Sequence, residues 1–308
     1  MSPRTFARCV ASFALVAVAV PVIASFAQDA APKPAPAPAQ KSGHTGRLTE
    51  DEFAKLHELS KEQPPAPKGV EIKIGDNRAY LSLPEGAQAP LPGVVVIHEW
   101  WGLNGHVKHW TDRLAAEGYA AVAVDMYRGK TAETQEDAGK FYKECVGDRE
   151  HMVKVLTDAE AFLRTDARVK APKTGSVGWC LGGRASQLLA MNAPELDACA
   201  IYYGGGMTTD KADLAKIKAP VLGIFGKQDG SIPLESVDAL RSGLTELGVR
   251  NNVLVYDAAH GFANPSGKRY DRVSAGAAWD ELVKFFAVEL KGEKPASGKT
   301  PAESEPKR

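Results

Sequence analysis

Ser176-Val177-Gly178-Trp179-Cys180-Leu181-Gly182-Gly183 is the stretch that decides the reading of this chain. Residues 176–179 form a short apolar strand pattern, and residues 184–192 read as a helix. A cysteine stands between them, with glycines two positions before and two after. This is the G-x-S-x-G nucleophile elbow with Cys in place of Ser. Such a turn is sharp and strained, and it presents its central side chain at the tip of the following helix. The glycines let neighbouring backbone close in, and the helix N-terminus adds positive potential at the sulfur. The bland alternative is a small buried Cys in a Gly-rich turn, which so short a pattern leaves open.

Outward from the elbow, apolar runs recur at residues 93–97 (GVVVI), 120–124, 198–202, 221–225 and 253–256. Helical patterns separate most of them. Met152, Leu156, Ala159 and Leu163 share one face, as do Leu240, Leu244 and Leu247. Trp279, Leu282, Val283 and Phe286 mark the last helix. Buried strands alternating with helices predict an α/β fold with a mostly parallel central sheet and helices on both faces. Residues 70–74 and 80–83 alternate instead, predicting an antiparallel hairpin around Gly75-Asp76-Asn77 ahead of that sheet. Active sites on such sheets sit at the carboxyl ends of the strands.

The elbow pattern requires an acid and then a histidine further along the chain. Asp229 follows the 221–225 strand and His260 follows the 253–256 strand, in that order. His260 would take the thiol proton, and Asp229 would hold the imidazole in the correct tautomer. Asp257 competes for the acid role, but it lies only three residues before His260 and would have to fold back. Taken singly, Asp229 also reads as a turn residue beside Gly230, and His260 as a solvated loop histidine. It is the order and the placement that argue for a Cys180–Asp229–His260 set.

These residues resemble the dienelactone hydrolase family of the α/β-hydrolase superfamily. Three segments carry the resemblance: His98-Glu99-Trp100-Trp101-Gly102-Leu103-Asn104, Gly178–Gly183, and His260-Gly261-Phe262. The similarity in layout spans roughly residues 70–290. The resemblance implies a Cys-His-Asp triad of Cys180, His260 and Asp229, with Glu99 helping to deprotonate the thiol. It implies an oxyanion hole from the backbone N–H groups of Trp100 and Leu181. It also implies cleavage of a small carboxylic ester or lactone through a thioacyl intermediate, without a cofactor. One departure stands out. Members that cleave dienelactone carry an arginine shortly after the histidine, where this chain has Asn264. Lys268 and Arg269 come later and offer substitutes. Trp101, Tyr203 and Asn264 are candidate pocket residues, with plain packing an equal alternative for the aromatics.

The 308 residues are 44% hydrophobic and 25% charged, an ordinary globular balance that can build a sizeable core. Basic and acidic side chains number 38 each, so no global field attracts nucleic acid or anionic membrane. Residues 1–27 contain Arg4, Arg8, a long apolar run and a Ser-Phe-Ala ending. They read as a signal peptide cut after Ala27, giving an exported, periplasmic or secreted protein. A retained membrane anchor is the alternative, since the apolar run could just span a bilayer. Residues 28–68 form a Pro/Ala-rich spacer followed by a short helix over 46–62. In that helix Thr49 and Glu52 fit a capping box, and Phe53, Leu56 and Leu59 share a face. The catalytic domain covers 69–290, and 291–308 read as a disordered tail.

Beyond the leader remain Cys145, Cys180 and Cys199, an odd number that leaves at least one free thiol. No C-x-x-C occurs, which argues against a thiol redox protein. Whether Cys145 pairs with Cys199 is open at this level, and so is the oligomeric state. His98, Glu99, His106 and His109 cluster in sequence but lack the second histidine of H-E-x-x-H, so no metal is expected. Asn104 is a helix cap. Gly204-Gly205-Gly206 reads as a turn, because it lacks the Lys-Ser/Thr of a phosphate loop. Arg184 meets an anionic substrate or lies exposed on its helix. The spacer and tail would also suit a non-catalytic exported binding protein that reuses the fold.

Overall fold

The computed structural model describes residues 48–55 and 66–294. In chain order the elements are α1 (Glu50–Lys55), β1 (Val70–Ile74), β2 (Asn77–Ser82), β3 (Gly93–Ile97), α2 (Gly105–Ala116) and β4 (Ala120–Val124). Then come α3 (Gln135–Gly147), α4 (Arg149–Thr165), β5 (Thr174–Trp179), α5 (Leu181–Asn192) and β6 (Ala198–Tyr202). The last are α6 (Lys211–Leu214), β7 (Val221–Gly226), α7 (Leu234–Glu246), β8 (Asn251–Tyr256) and α8 (Arg272–Lys291). Residues 1–47, 56–65 and 295–308, which hold the expected leader and most of the expected spacer and tail, lie outside the described residues.

The eight strands form one sheet in the order β1-β2-β4-β3-β5-β6-β7-β8. The β1–β2 and β2–β4 pairs are antiparallel, and every other pair is parallel. Gly93 on β3 meets Leu163 of α4, whereas Gly175 on β5 meets Phe286 and Leu290 of α8. Gly93 pairs with Thr174, so Gly93 and Gly175 face opposite ways, and helices cover both faces. This is why β3, β4 and β6 are apolar at every position rather than alternating, and buried throughout. The chain steps from β3 outward to β4, then returns to the other side of β3 to lay down β5. That reversal opens a crevice at the carboxyl ends of β3 and β5, the place where ligands bind in such sheets.

Local details differ from the sequence pattern at three points. The hairpin turn is Gly75-Asp76 alone. Ile74 pairs directly with Asn77, and Gly75 takes the positive φ of 57° that so tight a turn needs. Leu247 does not extend the α7 stripe. The helix ends at Glu246, Gly248 turns left-handed at φ 71°, and Leu247 is left 37% exposed while Val237 joins Leu240 and Leu244 inside. The short N-terminal helix is described only over Glu50–Lys55, so Leu56 and Leu59 lie outside the described residues.

The capping box at that helix is formed reciprocally. Glu52 N–H donates to Thr49 Oγ1 at 2.9 Å, and Thr49 N–H donates to Glu52 Oε2 at 2.8 Å. Phe53 is fully buried between Trp110 and Trp279, with ring centroids 6.3 and 6.4 Å away. Arg113 lies over the Phe53 and Trp279 rings and pairs with buried Glu50 at 3.0 Å. Glu50 also accepts from Tyr270 at 2.8 Å. One turn of helix is thereby held by packing and a buried ion pair rather than by its own propensity.

Candidate active site

Cys180 ends β5 and caps α5 with φ 57° and ψ −114°, a conformation that a side chain adopts only under constraint. The neighbouring glycines supply the constraint. A Cβ on Gly178 would lie 2.1 Å from the Gly182 carbonyl oxygen, and one on Gly182 would lie 2.2 Å from that of Ile97. Only glycine lets the first turn of α5 press against both β5 and the end of β3. The Cys180 N–H is tied to the Tyr202 carbonyl at 3.0 Å. Cys180 is half-buried, whereas Cys145 and Cys199 are buried. All three are free thiols. Burial pushes Cys145 up to about 12 and Cys199 up to about 11, so neither supplies thiolate near neutrality.

Asp229 and His260 come together from the ends of β7 and β8. The two loops are laced by Lys227 N–H to the Tyr256 carbonyl at 2.7 Å and Gln228 N–H to that of Ala258 at 2.9 Å. His260 Nδ1 lies 2.6 Å from Asp229 Oδ2. Ser231 steadies the other oxygen, its hydroxyl donating to Asp229 Oδ1 at 2.6 Å and its N–H at 2.9 Å. Burial opposes a charged imidazole. The Asp229 carboxylate and the neighbouring Cys180 side chain nevertheless raise its pKa to about 10. Burial likewise opposes a charged Asp229, but the bonds from His260 and Ser231 hold its carboxyl below the ordinary value. Asp257 takes no part: it accepts from exposed Gln228 at 3.0 Å.

Glu99 follows β3 across the crevice. It is 4% exposed, and burial pushes its carboxyl up to about 7. Asn264 Nδ2 donates to Glu99 Oε2 at 2.5 Å, and the Tyr203 hydroxyl reaches Oε1 at 3.5 Å. The Asn264 orientation is set by its own Oδ1, which accepts from Ser266 N–H at 2.9 Å. Tyr203 is buried with φ 35°, and its ring lies 5.2 Å from that of His260. Asn264, which stands where the resemblance places an arginine, is thus the residue that holds Glu99. Lys268 and Arg269 make no contact with Glu99 in this arrangement.

Trp100 and Trp101 are half-buried, with rings 5.2 Å apart. Among the described residues, no protein group accepts from the Trp100 or Leu181 backbone N–H. The Leu181 N–H is an orphan donor of the first helical turn. Three further residues contribute beyond those the motifs mark. Ser231 stands two residues after Asp229, where a short-range Asp–Ser bond could have been anticipated. Tyr127 holds the Trp100 carbonyl at 3.1 Å. His98 Nε2 accepts from Met126 N–H at 3.1 Å, so its proton lies on Nδ1, which donates to the Glu99 carbonyl at 2.5 Å. Nothing in the sequence signals the Tyr127–Trp100 and Met126–His98 bonds, because they join residues 27 and 28 positions apart in the chain. His106 and His109 are buried in α2, whose N-terminus Asn104 caps through Val107 N–H at 3.1 Å. Among the described residues no three His, Cys, Asp or Glu side chains converge as a metal-ligand set, and no helix is long and apolar enough to cross a membrane.

The model of the dienelactone hydrolase family matches residues 77–290, from β2 to the end of α8. This chain belongs to the dienelactone hydrolase family. Protein usf of Aquifex pyrophilus is 35% identical over 216 residues, covering 68% of this chain and 92% of that protein. A protein of Escherichia coli (strain K12) named "Putative carboxymethylenebutenolidase" is 32% identical over 231 residues, covering 69% of this chain and 83% of that one. A dienelactone hydrolase-like promiscuous phosphotriesterase from metagenomic libraries superposes with a TM-score of 0.66 at 27% identity, covering 72% of this chain and 98% of that structure. The chain has the α/β-hydrolase fold, and the matched segment contains every residue of the crevice just described.

Proposed function

We propose that this dienelactone hydrolase-family protein hydrolyses small carboxylic esters or lactones with Cys180 as nucleophile. The observation that carries the reading is the His260 Nδ1–Asp229 Oδ2 bond of 2.6 Å behind a cysteine held in a left-handed elbow. His260 takes the Cys180 proton, and the sulfur attacks the ester carbonyl carbon. The carbonyl oxygen then faces the free N–H groups of Trp100 and Leu181. As the tetrahedral intermediate collapses, the C–O bond breaks and His260 returns its proton to the departing alkoxide. Water attacks the thioester next, its proton passing to His260, and the sulfur leaves as thiolate. Asp229 keeps the imidazole in the tautomer with Nδ1 protonated, and Ser231 keeps Asp229 in place.

Glu99 opposes a neighbouring thiolate when ionised and tolerates it when protonated. Its neutral partner Asn264, in place of an arginine, favours uncharged groups at this end of the crevice over the carboxylate of dienelactone. We also propose that residues 1–27 direct export, which cell fractionation of the full-length chain would test.

The hydrolase reading is tested with a short-chain p-nitrophenyl ester. Cys180→Ala should lower turnover by at least about a thousandfold, and iodoacetamide should inactivate the wild type by labelling Cys180. Normal turnover by Cys180→Ala would exclude this mechanism. An intact thiol that neither turns over esters nor takes the label would favour a binding protein on the same fold.

A further inference from the structure

Away from the catalytic crevice, a half-open cavity of about 140 Å³ lies between the start of α4, the flank of α5 and the loop after β6. Arg149, Arg184, Met152, Met191 and Met207 line it, whereas Cys180, Glu99, Asp229 and His260 do not. Gln187 makes the third wall rigid, its amide donating to the Thr208 carbonyl at 2.8 Å and accepting from Thr208 N–H at 2.9 Å.

Among the described residues neither Arg149 nor Arg184 makes an ion pair or hydrogen bond through its guanidinium. Asp213 senses the Arg149 charge, but its carboxylate is held by Lys216 at 2.6 Å. The Arg184 guanidinium rests over Gly206, where a Cβ would come within 3.2 Å of Nη1, so the absence of a side chain leaves it room. Two uncompensated guanidiniums beside three thioethers make an uncommon wall. Guanidinium groups match the geometry of carboxylate and phosphate oxygens, and methionine adapts to irregular apolar shapes. The volume is roughly ten times what one water needs and below the roughly 300 Å³ of typical drug-sized pockets. It therefore suits an anionic headgroup carrying a few carbons.

We propose that this cavity binds a small amphipathic anion, with its carboxylate or phosphate oxygens between Arg149 and Arg184 and a short apolar tail against the methionines. The site is separate from the hydrolytic chemistry and stands whether or not Cys180 is a nucleophile.

Methyl-labelled methionine makes the test local, because the chain has only five methionines, three of them in this wall. The full-length protein would be titrated by carbon-13 methyl NMR with hexanoate, hexyl phosphate and, as the uncharged control, 1-hexanol. The expected result is a saturable shift of the Met191 and Met207 signals with one or both anions at millimolar concentration, while Met126 stays still. Which anion binds more tightly identifies the headgroup. The double variant Arg149→Gln/Arg184→Gln should weaken binding by at least about tenfold. Met207→Glu, which supplies an internal carboxylate and leaves both arginines in place, should do the same. Overturning results are equal binding of 1-hexanol, unchanged affinity in folded forms of both variants, movement of Met126 alone, or no saturable shift with either anion.

Discussion

Replacing Glu99 by Gln removes a buried charge while keeping its shape. Burial lifts the Glu99 carboxyl from an ordinary 4.5 to about 7, against the opposing pull of Asn264, His260 and Tyr203. Between those two values the folded chain holds a proton that the unfolded chain has released. The stability associated with Glu99 is therefore complete below about pH 4.5 and is lost as pH rises through about 7. At about 1.4 kcal/mol per pH unit, the full loss is roughly 3 kcal/mol, of which about 2.5 kcal/mol falls between pH 5 and pH 8. Gln cannot ionise. Its carbonyl can still accept from Asn264, and the Tyr203 hydroxyl can turn to accept from its amide. Urea unfolding of wild type and Glu99→Gln at about pH 5 and about pH 8 should show the variant gaining roughly 2–3 kcal/mol relative to wild type over that interval. In thermal scans the same gain should appear as roughly 5–10 °C in relative Tm. A stability difference that stays constant with pH, or one that shrinks as pH rises, would refute the buried-charge argument.

Asp229→Asn should lower ester turnover by roughly a hundred- to ten-thousandfold, and NMR titration should show the His260 pKa falling from about 10; an unmoved His260 titration would contradict the pairing. Gly182→Ala places a methyl group against the Ile97 carbonyl, so a loss of roughly 1–3 kcal/mol or more is expected in denaturant unfolding. An unchanged midpoint would show that α5 does not press on β3 as closely as the geometry has it. Phe53→Ala empties the slot between Trp110 and Trp279 and should destabilise the domain by roughly 3–5 kcal/mol, seen as a drop in Tm. A loss below about 1 kcal/mol would mean that α1 is not part of the cooperative unit.

Much of the architecture follows from local pattern. The runs at 93–97 and 120–124 are apolar at every position because both their faces meet helices, and that pattern separates them from the alternating hairpin before them. Thr49 with Glu52, and Asn104, were readable as caps because capping is a bond between residues three apart. Leu247 misled because periodicity carries past the point where a left-handed Gly248 stops the helix. Ser231 lies within reach of local reasoning, two residues from Asp229, whereas Tyr127 and His98 escaped because their roles depend on which loops become neighbours, and hydrophobic periodicity carries no information about strand order.

By itself the sequence determined an α/β chain with a strained Cys turn, and an acid and a histidine that follow in order after later strands. Each of these is a short-range matter of residue type and spacing. Only the tertiary structure decided that β5 returns beside β3 rather than beyond β4. That crossover sets Glu99 and Asn264 at the crevice that holds Cys180, and it buries the Glu99 carboxyl away from water. Burial depends on every element packed around a residue, which is why the raised pKa of Glu99 and its bond to Asn264, 165 residues away along the chain, belong to the fold.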